Sequence, residues 1–306
     1  MRSKTLISIV GPTGIGKTAL SIKLAYCFNT EIISSDSRQF FKEMTIGTAV
    51  PSEEELSSAK HHFIQHISIN DIYNVGQFEK DAMRLLEQLF KKHDVVIMVG
   101  GSALYSNALI NGLDEFPEVA IDIRQSLNKK LQTEGINSLQ QQLKILDKKS
   151  YETIAIDNPQ RLIRALEICL GTGKPYSSFL SNSKRKRPFE TISIGIKADR
   201  ETIYNRINQR VDIMLENGLL NEAKALQKHK DLNALNTVGY KELFKYFEGE
   251  WTLDFAVSEI KKNTRRFAKR QLTWYRKDES IAWFDYQTHV NKVIEHIENS
   301  IKKPAK

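Results

Sequence analysis

Cysteine is scarce and long apolar runs are missing. The 306 residues include two cysteines, Cys27 and Cys169. Both fall in apolar helical patterns, so they read as buried free thiols of a cytoplasmic protein and not as a disulfide framework. No cysteine–histidine cluster has the spacing of a zinc site. No run of eighteen apolar residues occurs, which excludes a transmembrane helix. Met1-Arg2-Ser3-Lys4 leads straight into a strand pattern, without the apolar core of a signal peptide. Internal repeats and low-complexity tracts are absent too. What is left is enough material for one large domain or two smaller ones.

Acidic residues are missing from one place in particular. Between Lys261 and Lys277 there are eight Lys/Arg and no Asp/Glu, which accounts for the whole formal charge of +8. The stretch reads as the end of a helix over Leu253–Lys277. Ile260, Phe267 and Trp274 recur every seven residues and are expected to face the core. Lys262, Arg266 and Lys269 would then be free. Such a surface is either a solvated face or a track for a phosphate backbone.

The strongest positive signal is near the start. Leu6, Ile7, Ile9 and Val10 form a short apolar strand. Gly11-Pro12-Thr13-Gly14-Ile15-Gly16-Lys17-Thr18 follows and fits G-x-x-x-x-G-K-[ST]. Glycines let backbone N–H groups wrap a phosphate, and the helix opening at Lys17 adds its positive end. Lys17 supplies a point charge and the Thr18 hydroxyl a ligand for Mg²⁺. The loop specifies a diphosphate or triphosphate without specifying ATP.

Further strands read at Glu31–Ser34, Asp94–Val99, Thr191–Ala198 and Ile281–Phe284. Helices read at Phe78–Lys92, Ala103–Ile110 and Arg200–Glu216, with shorter ones at Leu219–Gln227 and Tyr240–Phe247 and a last from Val290. Residues 42–75 look irregular. This alternation predicts a P-loop NTPase-like α/β core, a parallel sheet flanked by helices. From 116 to 187 only helices appear: Ile121–Leu131, Leu139–Leu146 and one opened by Asn158-Pro159. The chain thus divides into a core, 1–115 with 188–306, and an all-α insertion. Lys184–Pro188 is a basic linker, read as a solvated loop.

Ligands gather at the carboxyl ends of parallel strands. Asp94 is at the wrong end of its strand, which closes in Gly100-Gly101. Asp36, after the second strand, is at the right one. It suits contact with an acceptor better than ligation of a hydrolytic metal, and an Asx-turn or N-cap is its other reading. A P-loop small-molecule kinase using ATP, with Asp36 on a hydroxyl acceptor, fits these residues too, and so does a non-catalytic RNA-binding module.

Several further stretches extend the pattern. They are Asp36-Ser37-Arg38-Gln39-Phe40-Phe41-Lys42-Glu43-Met44 with Ile46-Gly47-Thr48-Ala49, then Gly100-Gly101-Ser102-Ala103-Leu104-Tyr105 and Asp157-Asn158-Pro159-Gln160-Arg161. Val238-Gly239-Tyr240-Lys241-Glu242 and Ala268-Lys269-Arg270-Gln271-Leu272-Thr273-Trp274 complete the series. With the phosphate loop, and in this order, they resemble the tRNA dimethylallyltransferases (tRNA isopentenyltransferases), in the bacterial form, over nearly the whole chain. Val50 and Ala103 depart from the residues many members carry, lysine and glycine.

The resemblance implies transfer of a dimethylallyl group from dimethylallyl diphosphate to the exocyclic amine of the adenosine just 3′ of the tRNA anticodon. No D-D-x-x-D motif occurs, so the aspartate-rich all-helical prenyltransferases are excluded. Asp36 would be the general base. Thr13, Lys17, Arg206 and Arg210 would hold the diphosphate with Gly11 to Thr18, and Mg²⁺ would sit on Thr18. Contacts with the tRNA anticodon stem–loop fall to Asp36, Ser37, Arg38, Gln39, Ser102 and Arg124. A second set is Gln160, Arg161, Leu162, Ile163 and Arg164, and a third Val238, Gly239, Tyr240, Lys241 and Glu242. The basic helix would track phosphates and the insertion would clamp the stem–loop. No membrane and no obligate protein partner is expected.

Overall fold

Residues 4–181 and 185–302 are described by the structure, a computed structural model. Met1, Arg2 and Ser3, and Lys184 of the basic linker, lie outside the described residues. The chain forms two compact units, one of Met1–Asn111 with Arg187–Lys306 and one of Gly112–Lys186.

The first unit begins with β1 (Thr5–Val10), α1 (Lys17–Phe28), β2 (Ile32–Ser34), α2 (Glu53–Ser58), β3 (His61–His62), α3 (Val75–Leu89), β4 (Val95–Val99) and α4 (Ala103–Asn111). The second holds α5 (Ile121–Glu134), α6 (Ile136–Leu146), α7 (Lys148–Thr153) and α8 (Pro159–Thr172). The first unit resumes with β5 (Glu190–Lys197), α9 (Arg200–Glu216), α10 (Leu219–Leu226), α11 (Tyr240–Phe247), α12 (Leu253–Tyr275), β6 (Ala282–Asp285) and α13 (Val290–Lys302).

The strands form one parallel sheet in the order β3-β2-β4-β1-β5-β6. Every residue of β1 and β4 is buried, as continuous apolar runs covered on both faces must be. Alternate residues serve opposite layers. Ile7, Ile9 and Ile97 pack against Leu24 of α1, Ile207 of α9 and Ile297 of α13, whereas Leu6, Val96 and Met98 meet Phe78 and Leu86 of α3. The insertion has its own core of Leu127, Leu139, Leu143, Leu162, Ile163 and Leu166.

Several expectations are corrected. The 42–75 stretch holds α2 and β3. The helix start is a capping box: Ser52 Oγ accepts from Glu55 N–H at 3.2 Å, and the Glu55 carboxylate accepts from Ser52 N–H at 3.0 Å. The strand is two histidines long, too short to show alternation. Helix α3 begins at Val75 because the Asn74 side chain caps Gly76 and Gln77. The short α7, capped by Asp147, has no periodicity to read. Cys27 is exposed; it lies past the buried Leu24 and Ala25 of α1, and only Cys169 is buried.

Helix α12 does not bury its seven-residue stripe. Ile260 is buried, but Phe267 is 37% and Trp274 43% exposed. The helix changes partners along its length. Ala256 and Ile260 pack with α10 and α11, Ala268 with the sheet layer, and Tyr275 with Val10 and Ile281. Its buried face therefore turns, and a fixed heptad cannot follow it. Lys262 is also not free, since it pairs with Glu259 at 2.8 Å.

One carboxylate anchors a loop beside the sheet. Glu222 of α10 accepts from the backbone N–H groups of Thr45 (2.9 Å), Ile46 (2.8 Å) and Gly47 (2.9 Å) and from the Tyr240 hydroxyl (2.6 Å). Tyr240 is fully buried against Gly47. Replacing Glu222 by Gln leaves one acceptor oxygen for four donors. The expected cost is about 2–3 kcal/mol, against about 1 kcal/mol for Tyr240→Phe, which removes one donor. Urea unfolding of the two variants measures this, and equal midpoints would show that the carboxylate does not hold the loop.

Candidate functional site

Three chain segments meet at the carboxyl edge of the sheet, because β1, β2 and β4 are hydrogen-bonded neighbours running the same way. After β1 comes the phosphate loop, in which Gly11, Gly14 and Gly16 all have positive φ. A Cβ on Gly11 would lie 2.6 Å from the Ile196 carbonyl oxygen of β5, so this position takes only glycine. After β2 comes Asp36, and after β4 the Gly100–Gly101 turn. Helix α9 brings two arginines to the same place: Arg206 Nε donates to Gly14 O at 2.8 Å and Arg210 Nη1 to Thr13 Oγ1 at 3.4 Å.

These groups line a cavity of about 550 Å³ that includes Thr13 to Thr18, Asp36, Glu55, Arg206 and Arg210. Thr48, Ala49, Val50, Pro51 and Ile213 supply its less polar wall. Burial pulls the Lys17 ammonium down to about 8, with the Asp36 carboxylate opposing the shift and the Arg210 cation adding to it. Lys17 Nζ donates to Pro12 O at 2.7 Å. Burial also lowers Arg210, again opposed by Asp36. Two half-buried cations and a carboxylate thus share one cavity, poised for an anion that would restore the cations' lost solvation.

Asp36 lines the cavity and forms the Asx-turn of its other reading. Its Oδ1 accepts from Arg38 N–H at 3.2 Å, an Asx-turn. Its Oδ2 lies on the side of Gly101, 3.3 Å from where a Cβ there would sit. The turn orients the carboxylate, and Oδ2 is the oxygen on the Gly101 side. Next to it, Ser37 and Ser102 form a pair, with Ser37 N–H donating to Ser102 Oγ at 3.1 Å and the hydroxyls 3.0 Å apart.

The other residues expected at an RNA surface are placed differently. Arg38 Nη1 donates to the carbonyls of Asn233 and Ala234, at 2.9 and 3.0 Å. Gln39 Nε2 donates to the carbonyls of Thr48 and Ala49, at 3.2 and 2.8 Å, and so supports the cavity wall. Tyr240 and Glu242 are buried: Tyr240 holds Glu222, and Glu242 accepts from Gly239 N–H and from Asn263 Nδ2 of α12, each at 2.9 Å. Gly239 is buried and Val238 half-buried, so Lys241 alone of that motif is exposed.

In the insertion, Leu162 and Ile163 are core residues, with no side chain to offer a ligand. Gln160 and Arg161 are exposed at the start of α8, behind the Asn158 cap. Arg164 and Arg124 both pair with the buried Glu167, at 2.9 and 3.6 Å, and Arg164 lies over the Phe116 ring. Among the described residues no group of three or more His, Cys, Asp or Glu could hold a metal ion.

Reading the sequence missed Gln271. This side chain of α12 is 4% exposed; its Oε1 accepts from Thr13 N–H at 2.9 Å and its Nε2 donates to Gly101 O at 2.8 Å. The Ala268–Trp274 motif pointed to the helix, but only the fold shows that this residue faces the cavity edge. Glu222 was missed for the same reason.

Comparison with known proteins gives a consistent result. The family model described as IPP transferase matches residues 39–278. A tRNA dimethylallyltransferase of Christiangramia forsetii is 60% identical over 98% of this chain and 99% of its own. Two solved structures share the fold. The full-length tRNA isopentenylpyrophosphate transferase of Bacillus halodurans is 36% identical, with a TM-score of 0.72 over 97% of this chain and 95% of that one. A eukaryotic dimethylallyltransferase acting on tRNA is 27% identical, with a TM-score of 0.83 over 99% of this chain and 81% of that one. These likenesses are to transferases, and they do not carry the kinase alternative. The chain therefore belongs to the IPP transferase family, with the bacterial tRNA dimethylallyltransferases.

Proposed function

We propose that the chain transfers a dimethylallyl group from dimethylallyl diphosphate to the exocyclic amine of the adenosine 3′-adjacent to a tRNA anticodon, releasing diphosphate. One observation carries the reading: the Asp36 carboxylate faces the same cavity as the cationic cradle of Lys17 and Arg210. An allylic diphosphate ionises with cationic character at carbon and negative charge on the departing oxygens. The cradle meets that negative charge. The amine nitrogen forms its bond to the allylic carbon as the carbon–oxygen bond breaks, its electron pair leaving with the diphosphate. The amine proton passes to Asp36 Oδ2.

The Ala49, Val50, Pro51 and Ile213 wall suits the dimethylallyl group. The Thr18 hydroxyl at the cavity, with no carboxylate cage among the described residues, fits Mg²⁺ bound through a diphosphate and water. The ion would add positive charge on the leaving oxygens. An adenine in a stacked loop reaches such a cavity only when extruded. Ser37 and Ser102 flank the carboxylate that would receive it. Among exposed groups, Gln160, Arg161 and Lys241 and the α12 cations Arg266, Lys269 and Arg270 are available to RNA. Among the described residues no helix is long and apolar enough to cross a membrane. A cytoplasmic setting agrees with a tRNA substrate.

Asp36→Asn keeps the Asx-turn acceptor but cannot take a proton. Single-turnover transfer should fall by about a hundredfold or more with tRNA affinity retained. A rate near wild type would reject the general-base role.

The Lys17 value sets a pH dependence. Its pKa in the free protein is depressed to about 8, so the ammonium is lost as pH rises through that value. Binding a diphosphate must then take up a proton. Affinity for an unreactive dimethylallyl diphosphate analogue, already ionised, should be flat below pH 8 and fall by about tenfold per pH unit above it. Lys17→Met should bind weakly without that fall. Calorimetric titration between pH 7 and 10 gives the profile.

Lys269→Ala combined with Arg270→Ala should lower the slope of log tRNA affinity against log salt by about 1.4–1.8 if each residue meets a phosphate. The rate at saturating tRNA should be unchanged. Parallel lines for wild type and variant would identify α12 as a solvated face.

A further inference from the structure

We propose that Gln271 is a positioning residue. It locks the phosphate loop and the Gly101 turn into one frame, so that the diphosphate and the acceptor amine are presented at a fixed separation. The proposal rests on the transferase reading above for its kinetic consequence, but not for its geometry.

The amide is a bridge between segments far apart in the chain. Its acceptor takes the N–H of Thr13, inside the phosphate loop, and its donor reaches the carbonyl of Gly101, at the end of β4. Thr13 is held from the other side as well, since Arg210 donates to its hydroxyl. Gly101 is packed from both directions. A Cβ there would lie 2.6 Å from Gln271 Nε2 and 3.3 Å from Asp36 Oδ2, so no larger residue fits without moving one of them. A continuous path therefore runs from Arg210 through Thr13, Gln271 and Gly101 to the side of the Asp36 carboxylate.

Only glutamine does this among residues of its size. Both ends of the bridge are backbone groups of opposite polarity, one N–H and one C=O, and a primary amide alone offers one acceptor and one donor at that span. Glutamate lacks the donor, methionine lacks both, and asparagine is one methylene short. At 4% exposure the amide has little competition from water, so the two bonds are kept and define a geometry. Gln271 touches neither reacting atom in this scheme. It acts through Thr13 and Gly101, and its effect belongs on the step that brings diphosphate carbon and amine nitrogen into line.

The test combines kinetics with a measurement on the unmodified protein. In Gln271→Met the turnover rate should fall about 10- to 100-fold, as expected for a misplacement of order an ångström. KM for dimethylallyl diphosphate and for tRNA should each stay within about threefold, because each substrate binds its own side of the frame. A lower melting temperature is expected from the two lost bonds in either case; a merely structural role would instead shift both KM values along with turnover. Turnover within twofold of wild type in a folded Gln271→Met would overturn the proposal.

Should the variant fail to fold, hydrogen exchange of the Thr13 amide in the wild-type protein decides. Protection above about tenfold over the unstructured rate is expected from the Gln271 bond. An unprotected Thr13 amide would overturn the proposal whatever the reaction. Absence of any transfer by the wild type would reject the transferase reading instead, with the frame still judged by Thr13 exchange.

Discussion

Because all strands run the same way, everything polar at this site depends on strand direction. The central strands β1, β2 and β4, buried throughout, carry no charge and leave it to the loops at their ends. The pairing of β1 with β4 on one side and β5 on the other, and of β4 with β2, decides which loops those are. The phosphate loop, the Asp36 turn and the Gly100–Gly101 turn become neighbours although the 81 residues 19–99 separate the first from the last. Helices α9 and α12 then contribute from the layer above, the first with arginines and the second with an amide.

The electrostatics follow from this crowding. Withdrawing Lys17 and Arg210 from water destabilises their charged forms, and Asp36 offsets part of that. The arrangement favours a multiply charged anion, which restores what burial removed. It sets a carboxylate beside the cradle as well, since Asp36 is held by a backbone N–H through one oxygen while the other faces Gly101. Cradle and carboxylate are parts of one cluster with excess positive charge, and the side chains that orient them matter as much as those that carry charge.

Much of the core was legible because local chemistry was decisive. The phosphate loop needed glycine at set positions, β4 announced itself as an unbroken apolar run, and β1 as a mostly apolar strand leading into the loop. Asp36 could be placed by strand direction alone. What escaped was either too short or dependent on partners distant in sequence. The two histidines of β3 have no period, and α7 is six residues long. The α12 stripe was misjudged because recurrence every seven residues suggested a core role for Phe267 and Trp274, whereas the burying partner changes along the helix. Leu162, Ile163, Tyr240 and Glu242 sit in motifs that read as RNA contacts, but their side chains hold elements together. Gln271 and Glu222 act through bonds to backbone groups that only the fold brings within reach.

The loop over residues 45–50 is gripped almost entirely by its main chain. Glu222 takes its N–H groups and Gln39 its carbonyls, and the Thr48 hydroxyl turns back to Met44 O. Ala49 and Val50 therefore shape the cavity without supporting the loop that carries them. Such a wall can be resurfaced. Bulk can be added or trimmed at Val50 while the backbone stays put, whereas Ala49, at a φ of 52°, resists a larger side chain, so the bore of the cavity can change at one position independently of the charged groups opposite. The bore of the cavity is in that sense a detachable property of this fold, set apart from the charges opposite it.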